Sequence, residues 1–101
     1  MKMMQKIQID KVIHEPARLI ILAHLYPNRH TDFVSLMRQT GLTWGNLSAH
    51  INKLEQVNYL VIKKEFQGRK PHTILCLSET GKAAFRNYLT QMDLMLEKLR
   101  D

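Results

Sequence analysis

Residues 31–81 constrain this chain more than any other part, because four local signals follow one another there in a fixed order. Within Asp32-Phe33-Val34-Ser35-Leu36-Met37-Arg38-Gln39, the residues Phe33, Leu36 and Met37 recur at spacings of three and four and give a helix one apolar face. Thr31 suits its N-cap, and Asp32 beside it suits the positive end of the helix dipole. Gly41, within Thr40-Gly41-Leu42-Thr43, has the backbone freedom that ends this helix in a tight turn. Thr43 caps a second helix running from Trp44 to about Tyr59, with a buried stripe of Leu47, Ile51 and Leu54 and Asn58 as left-handed cap. Two stretches rich in β-branched and apolar residues follow, Tyr59 to Phe66 and Pro71 to Leu77, and flank the basic tip Gln67-Gly68-Arg69-Lys70-Pro71.

Helix, Gly-containing turn, helix and hairpin in that order make a winged helix-turn-helix unit. The rest of the chain completes it. A preceding helix should begin near Glu15-Pro16, where the missing N–H of Pro16 costs nothing, bury Leu19, Ile20, Leu22 and Ala23, and close at Tyr26-Pro27-Asn28. Residues 1–9 form a frayed or helical lead-in whose Ile7 and Ile9 can pack on a neighbour. Ser78-Glu79-Thr80-Gly81 opens a last helix that runs to the C-terminus. The expected fold class is α+β, mostly α, with a two-stranded wing and a long C-terminal dimerisation helix. We expect one domain over 1–101, with a DNA-binding core at 10–78 and the dimerisation helix at 79–101.

With 101 residues the chain supports a single modest core, and its 45% apolar share is ordinary for a globular protein. The longest apolar run, Leu19 to Ala23, is far too short to span a membrane, and no apolar stretch before Asp10 suggests a signal peptide. One cysteine can form no internal disulfide, which fits a reducing cytoplasm. The net charge of +6 favours a polyanionic partner. Residues 28–72 hold seven Lys/Arg against Asp32, Glu55 and Glu65, whereas residues 73–101 hold four of each sign. The excess thus sits on the unit expected to meet phosphates.

A helix that enters a DNA groove must present short polar side chains opposite its core stripe. At 100° per residue, Gly45, Ala49, Asn52 and Gln56 lie opposite Leu47, Ile51 and Leu54, with Asn46 and Lys53 on one flank and Ser48 on the other. Gly45 and Ala49 allow close approach of the backbone. Asn46 and Asn52 can read base edges, since the Asn amide matches the donor and acceptor of adenine. Ser48 and Lys53 are placed for phosphates, as are Arg69 and Lys70 on the wing, which can also reach an adjacent minor groove. Trp44 has two readings of equal weight, a stack on the sugar–phosphate edge or thymine methyl, or a hydrophobic contact folded back on the helix before it. His50 borders the buried stripe and reads as a partly buried imidazole.

No catalytic pattern is present: there is no Gly-rich phosphate loop and no serine or cysteine triad arrangement. Cys76, in Thr73-Ile74-Leu75-Cys76-Leu77, reads as a small apolar residue of a strand. His14, His24, His30, His50 and His72 lack metal-ligand spacing, so neither a metal nor a cofactor is expected. In the last helix Phe85, Leu89, Met92, Leu96 and Leu99 recur at spacings of 4, 3, 4 and 3, the pattern of a coiled-coil seam, broadened by Tyr88 and Met95. Such a seam should meet a second copy, the alternative being the first helix of the same chain, and a two-fold dimer would set two recognition helices about 34–36 Å apart, one turn of DNA.

The chain resembles the MarR- and ArsR-type winged-helix transcription regulators, most closely the compact prokaryotic ones that are little more than this domain. The resemblance covers about residues 14–90 and rests on Asp32-Phe33 to Leu36, Thr40-Gly41-Leu42-Thr43, Asn46-Leu47-Ser48, His50-Ile51 and Lys53-Leu54-Glu55. It continues through Tyr59-Leu60-Val61, Lys64-Glu65-Phe66, Gly68-Arg69-Lys70-Pro71, Thr73 and Leu77-Ser78-Glu79-Thr80-Gly81-Lys82. It implies a homodimer that binds a roughly palindromic operator in double-stranded DNA and regulates transcription, commonly as a repressor. Asn58 stands where such proteins usually have glycine, and Trp44 where they have a smaller residue. The rival expectation is a winged-helix protein–protein interaction module, against which the basic wing counts.

Overall fold

The computed structural model describes residues 6–100, so residues 1–5 of the expected lead-in and Asp101 lie outside the described residues. The elements run α1 (Pro16–Asn28), β1 (His30–Asp32), α2 (Phe33–Thr40), α3 (Trp44–Gln56), β2 (Leu60–Gln67), β3 (Lys70–Leu77) and α4 (Glu79–Leu99). The winged helix-turn-helix is therefore present, mostly helical, with a long C-terminal helix.

The expected two-stranded wing is present as β2 and β3, and β1 adds a strand to the sheet. The sheet has three antiparallel strands in the order β1-β3-β2. His30, Thr31 and Asp32 pair with Cys76, Leu75 and Ile74. Three residues with no alternation carry no local strand signal, and β1 exists only because β3 lies alongside it. For the same reason Thr31 is a strand residue, and Asp32 is the N-cap of α2. Its carboxylate accepts from the Ser35 N–H and hydroxyl, both at 2.8 Å. Those two bonds hold the Asp32 carboxyl below the usual carboxylate range.

The helix boundaries follow their caps. Glu15 accepts from the Arg18 N–H at the start of α1, with Pro16 in the first turn, and Arg29 closes α1 in the left-handed region at φ 72°. Gly41 (φ 72°) closes α2. At the end of α3 the Asn58 N–H donates to Glu55 O and the Tyr59 N–H to Leu54 O, with Asn58 at φ 63°. That is a Schellman motif built on asparagine.

Ile13, Ile21, Leu22, Leu25, Leu36, Leu47, Leu54 and Leu75 are fully buried, and Phe33, Ile51, Leu60, Phe85 and Tyr88 nearly so. Each such aliphatic side chain stabilises the fold by roughly 1.5–3 kcal/mol relative to exposure. The buried face of α1 is Ala17, Ile21, Leu22 and Leu25, turned from the expected one; Ile20 is 44% exposed and Ala23 is exposed. The unbroken run Leu19 to Ala23 fixes no helical phase by itself, and the flanking Ile13, Ala17 and Leu25 set it.

Helix α4 divides in two. Phe85 and Tyr88 belong to the core, Phe85 against the Tyr26 ring at 5.2 Å and Tyr88 bonded to His14 Nδ1 at 2.8 Å. Beyond Met95 every described residue of the helix is exposed. The molecule measures 64 × 25 × 21 Å, and its radius of gyration of 15.9 Å exceeds the ~13 Å of a compact chain this long. Among the described residues no helix is long and apolar enough to cross a membrane.

Candidate nucleic-acid interface

Helix α3 starts where Thr43 Oγ1 accepts from the Asn46 N–H at 3.2 Å. Leu47, Ile51 and Leu54 anchor it to the core. The opposite face is open: Gly45, Asn46, Ala49, Asn52, Lys53 and Gln56 are exposed and Ser48 is half-buried. The 100° periodicity thus sorted this helix correctly into core and solvent faces.

Trp44 makes the contact with the preceding helix that one of its two readings expects. Its indole packs on the Phe33 ring with centroids 4.4 Å apart, yet it remains 61% exposed. Phe33 is nearly buried, so the contact pins one face of the indole to the start of α2 and leaves the other free at the mouth of α3. His50 points away from the open face. Its Nδ1 lies 3.2 Å from an Arg18 guanidinium nitrogen and 3.7 Å from the Glu15 carboxylate. Arg18 also donates to Val12 O, so this cluster fastens α3 to α1. Burial alone would raise the Glu15 carboxyl; the Arg18 N–H bond and the neighbouring His50 and Arg18 charges outweigh it and hold the carboxyl below its usual value.

The wing is a hairpin of two eight-residue strands in unbroken register from Leu60↔Leu77 to Gln67↔Lys70. Positive φ at its tip is confined to Gly68 (φ 63°), as a type II′ turn requires. Arg69 and Lys70 are exposed there. Between the wing and α3 lies a cleft of ≈ 220 Å³ lined by Trp44, Ser48, Asn52, Ile62, Lys64 and Thr73 over a floor of Phe33, Ile51 and Leu75. A second cleft of ≈ 260 Å³ adjoins it around Trp44 and takes in Asp32, Lys70 and His72.

Lys64 is the residue that sequence reasoning passed over. Strand alternation puts it on the same face as Leu60 and Ile62, toward α3, but in the charged run Lys63-Lys64-Glu65 nothing local distinguishes it from its neighbours. The structure thus gathers Trp44, Ser48, Asn52 and Lys64 around one cleft and Lys70 with Trp44 around the adjoining one, while Arg69 lines neither. Asn46, Ala49 and Lys53 stand on the open face outside the clefts' lining.

The expected seam residues do not share one environment. Leu89 and Leu96 are about two-fifths exposed and Leu99 three-quarters, while Met92 is half-buried against the core. Phe85 is only 4% exposed and covered by its own chain, so it is not available to a second copy.

An exposed polar helix beside a basic wing is the surface a winged helix offers to duplex DNA, and the family comparison agrees with it. Residues 17–96 match the family model described as "Winged helix DNA-binding domain". The chain belongs to that family. This winged helix DNA-binding domain is also 34% identical over 88 residues to an uncharacterized protein of Methanocaldococcus jannaschii, covering 87% of the chain and 95% of that relative. Among solved structures it is similar to a transcriptional regulator homologue of Pyrococcus horikoshii OT3, with a TM-score of 0.85 and 27% identity over 89% of each chain. An ArsR family transcriptional regulator shares the fold at a TM-score of 0.56 and 18% identity, over 86% of this chain and 84% of that one. The expected likeness to transcription regulators therefore holds, and the fold and family are those of DNA-binding regulators.

Proposed function

We propose that the chain is a homodimeric, sequence-specific regulator of transcription, acting in the cytoplasm as a repressor. The observation that carries this reading is the open face of α3, with Asn46 and Asn52 free of the core and Lys64 and Lys70 across the adjoining groove. In this mechanism α3 lies in the major groove. Gly45 and Ala49 let its backbone approach, Asn46 and Asn52 bond base edges, and Thr43, Ser48 and Lys53 meet phosphates. The free face of Trp44 stacks on the groove wall. Arg69 and Lys70 follow the backbone onto the flanking minor groove.

Dimerisation is proposed through Leu89, Met92, Leu96 and Leu99, since α4 leaves apolar side chains exposed. Two-fold symmetry then presents two α3 helices to a roughly palindromic site. Occupancy of a promoter by such a dimer denies the same grooves to other proteins, which is why we read the regulation as repression.

Selection of duplexes from a random pool with Asn46→Ala and Asn52→Ala tests the base contacts. Removing a bidentate pair costs about 1–3 kcal/mol at one base-pair position, and preference there should relax while non-specific binding persists. Both side chains lie off the buried stripe, so thermal melts should be unchanged. Recovery of the wild-type site by both variants with undiminished preference would refute base reading by these residues.

A further inference from the structure

A second cationic cluster lies away from α3 and the wing tip. Arg29 sits at the base of the sheet, where its carbonyl accepts the Leu77 N–H at 2.7 Å. Strand β3 runs from there to Lys70, so the cluster is roughly 25 Å from the wing tip at ~3.3 Å per residue. The Arg29 guanidinium lies over the Tyr26 ring, 5.9 Å from its centroid. Arg86 Nε donates to the Tyr26 hydroxyl at 3.4 Å. Lys82 is one helical turn before Arg86 on α4, and its charge also reaches Tyr26. Two guanidiniums, one ammonium and one phenol thus converge, with Glu79 the carboxylate whose charge reaches Arg86.

Two further observations set this cluster apart from ordinary surface charge. Arg29 holds φ at 72°, where glycine or asparagine is the usual occupant, so a cation stands at a strained backbone position. The Arg86 hydrogen bond, with the Arg86, Lys82 and Arg29 charges behind it and burial opposing, holds the Tyr26 phenol below its ordinary value. The field of all three cations therefore meets at one oxygen. The sequence hides this, because Lys82 and Arg86 are balanced in any count over residues 73–101 by the more distal Asp93 and Glu97.

We propose that Tyr26, Arg29, Lys82 and Arg86 form a second phosphate-binding surface that engages the backbone of a DNA segment other than the one held by α3 and the wing. Fork-shaped guanidiniums suit the oxygens of a phosphodiester, and the phenol supplies a neutral donor. A domain with basic surfaces at both ends of its hairpin can hold two stretches of duplex at once. The proposal is independent of whether α3 reads bases, since none of its four residues touches that groove.

The test uses the full chain and the Nε–H resonances of Arg29 and Arg86 in ¹H–¹⁵N spectra, with inorganic pyrophosphate and a short random duplex as probes. Both resonances should shift saturably with excess duplex, and pyrophosphate should compete for them. Arg29→Gly with Arg86→Gln should weaken binding of a second duplex, read by sedimentation as the loss of the two-duplex complex, roughly tenfold or more, as expected for losing charge-assisted bonds. The same variant should keep its melting temperature, since glycine relieves the strained position, and should bind a first duplex through α3 as before. Shifts with pyrophosphate alone would assign the site to free phosphate and overturn the DNA assignment. No shift with either probe, or equal shifts at arginines outside both the cluster and the wing, would overturn the site itself.

Discussion

Substituting Gly81 by alanine sets helix propensity against packing, and the two disagree in sign. Gly81 lies in the first turn of α4, where alanine would ordinarily stabilise a helix by about 0.5–1 kcal/mol. A Cβ built there, however, falls 1.9 Å from Tyr59 O and within 2.9 Å of its Cα. These are backbone atoms with no rotamer to retreat into. Tyr59 O is further held by the Ser78 N–H at 3.1 Å, and the Ser78 hydroxyl is bonded to Asn58 O. Relief requires α4 to move off the start of β2 by about 1 Å or more, which loosens Phe85 and Tyr88 one and two turns on. Overpacking of this kind costs about 1–3 kcal/mol, and the looser fit of those two rings adds to it, so we expect a net loss of about 2–3 kcal/mol. In thermal melts at fixed protein concentration that is a fall of roughly 10–20 °C for a domain of this size. Gly45→Ala is the matched control: nothing lies within 4 Å of its Cβ, so it should melt at the same temperature or a few degrees higher. A Gly81→Ala protein as stable as the wild type would refute the packing argument.

Leu89→Asp with Leu96→Asp should convert a dimer to monomers without unfolding them, because both side chains are already about two-fifths exposed in the subunit; sedimentation at micromolar concentration reads the outcome, and a monomeric wild type would end the dimer proposal. Arg69→Ala with Lys70→Ala should weaken binding to all duplexes and lower the slope of log affinity against log salt by about 0.9 for each phosphate no longer neutralised. Adding Lys64→Ala should lower it further if the groove beside Asn52 takes the backbone, and an unchanged slope would remove these cations from the interface. Burial and then the Asp10 hydrogen bond push the Tyr59 phenol up to about 12 from 10.0, so the neutral form favours the fold. That stabilisation is complete below pH about 10 and lost as pH rises toward 12; Tyr59→Phe should lack this alkaline transition in melts followed against pH.

Local chemistry in the sequence was enough to place α3, although it ends at Gln56 and not near Tyr59, because the left-handed Asn58 closes it first. Thr43 as cap, the stripe Leu47, Ile51 and Leu54, and Asn58 in the left-handed region are all decided by interactions within a turn or two. The same holds for the hairpin with Gly68 at its tip, for Gly41, and for the start of α4 at Ser78-Glu79. What needed the tertiary structure depends on segments distant in the chain. Strand β1 forms only against β3, forty-odd residues later, and draws the cap of α2 from Thr31 to Asp32. Phe85 and Leu89 look equivalent in a heptad, yet Tyr26 of α1 covers one and nothing among the described residues fully covers the other. Lys64 reads as one more charge in a run until the sheet turns it toward Asn52, and Arg29 joins Lys82 and Arg86 only because α1 ends beside the start of α4. Caps and periodicity are written within a few residues of where they act; the depth of a side chain, and the company its charge keeps, are set by whatever the rest of the chain packs against it.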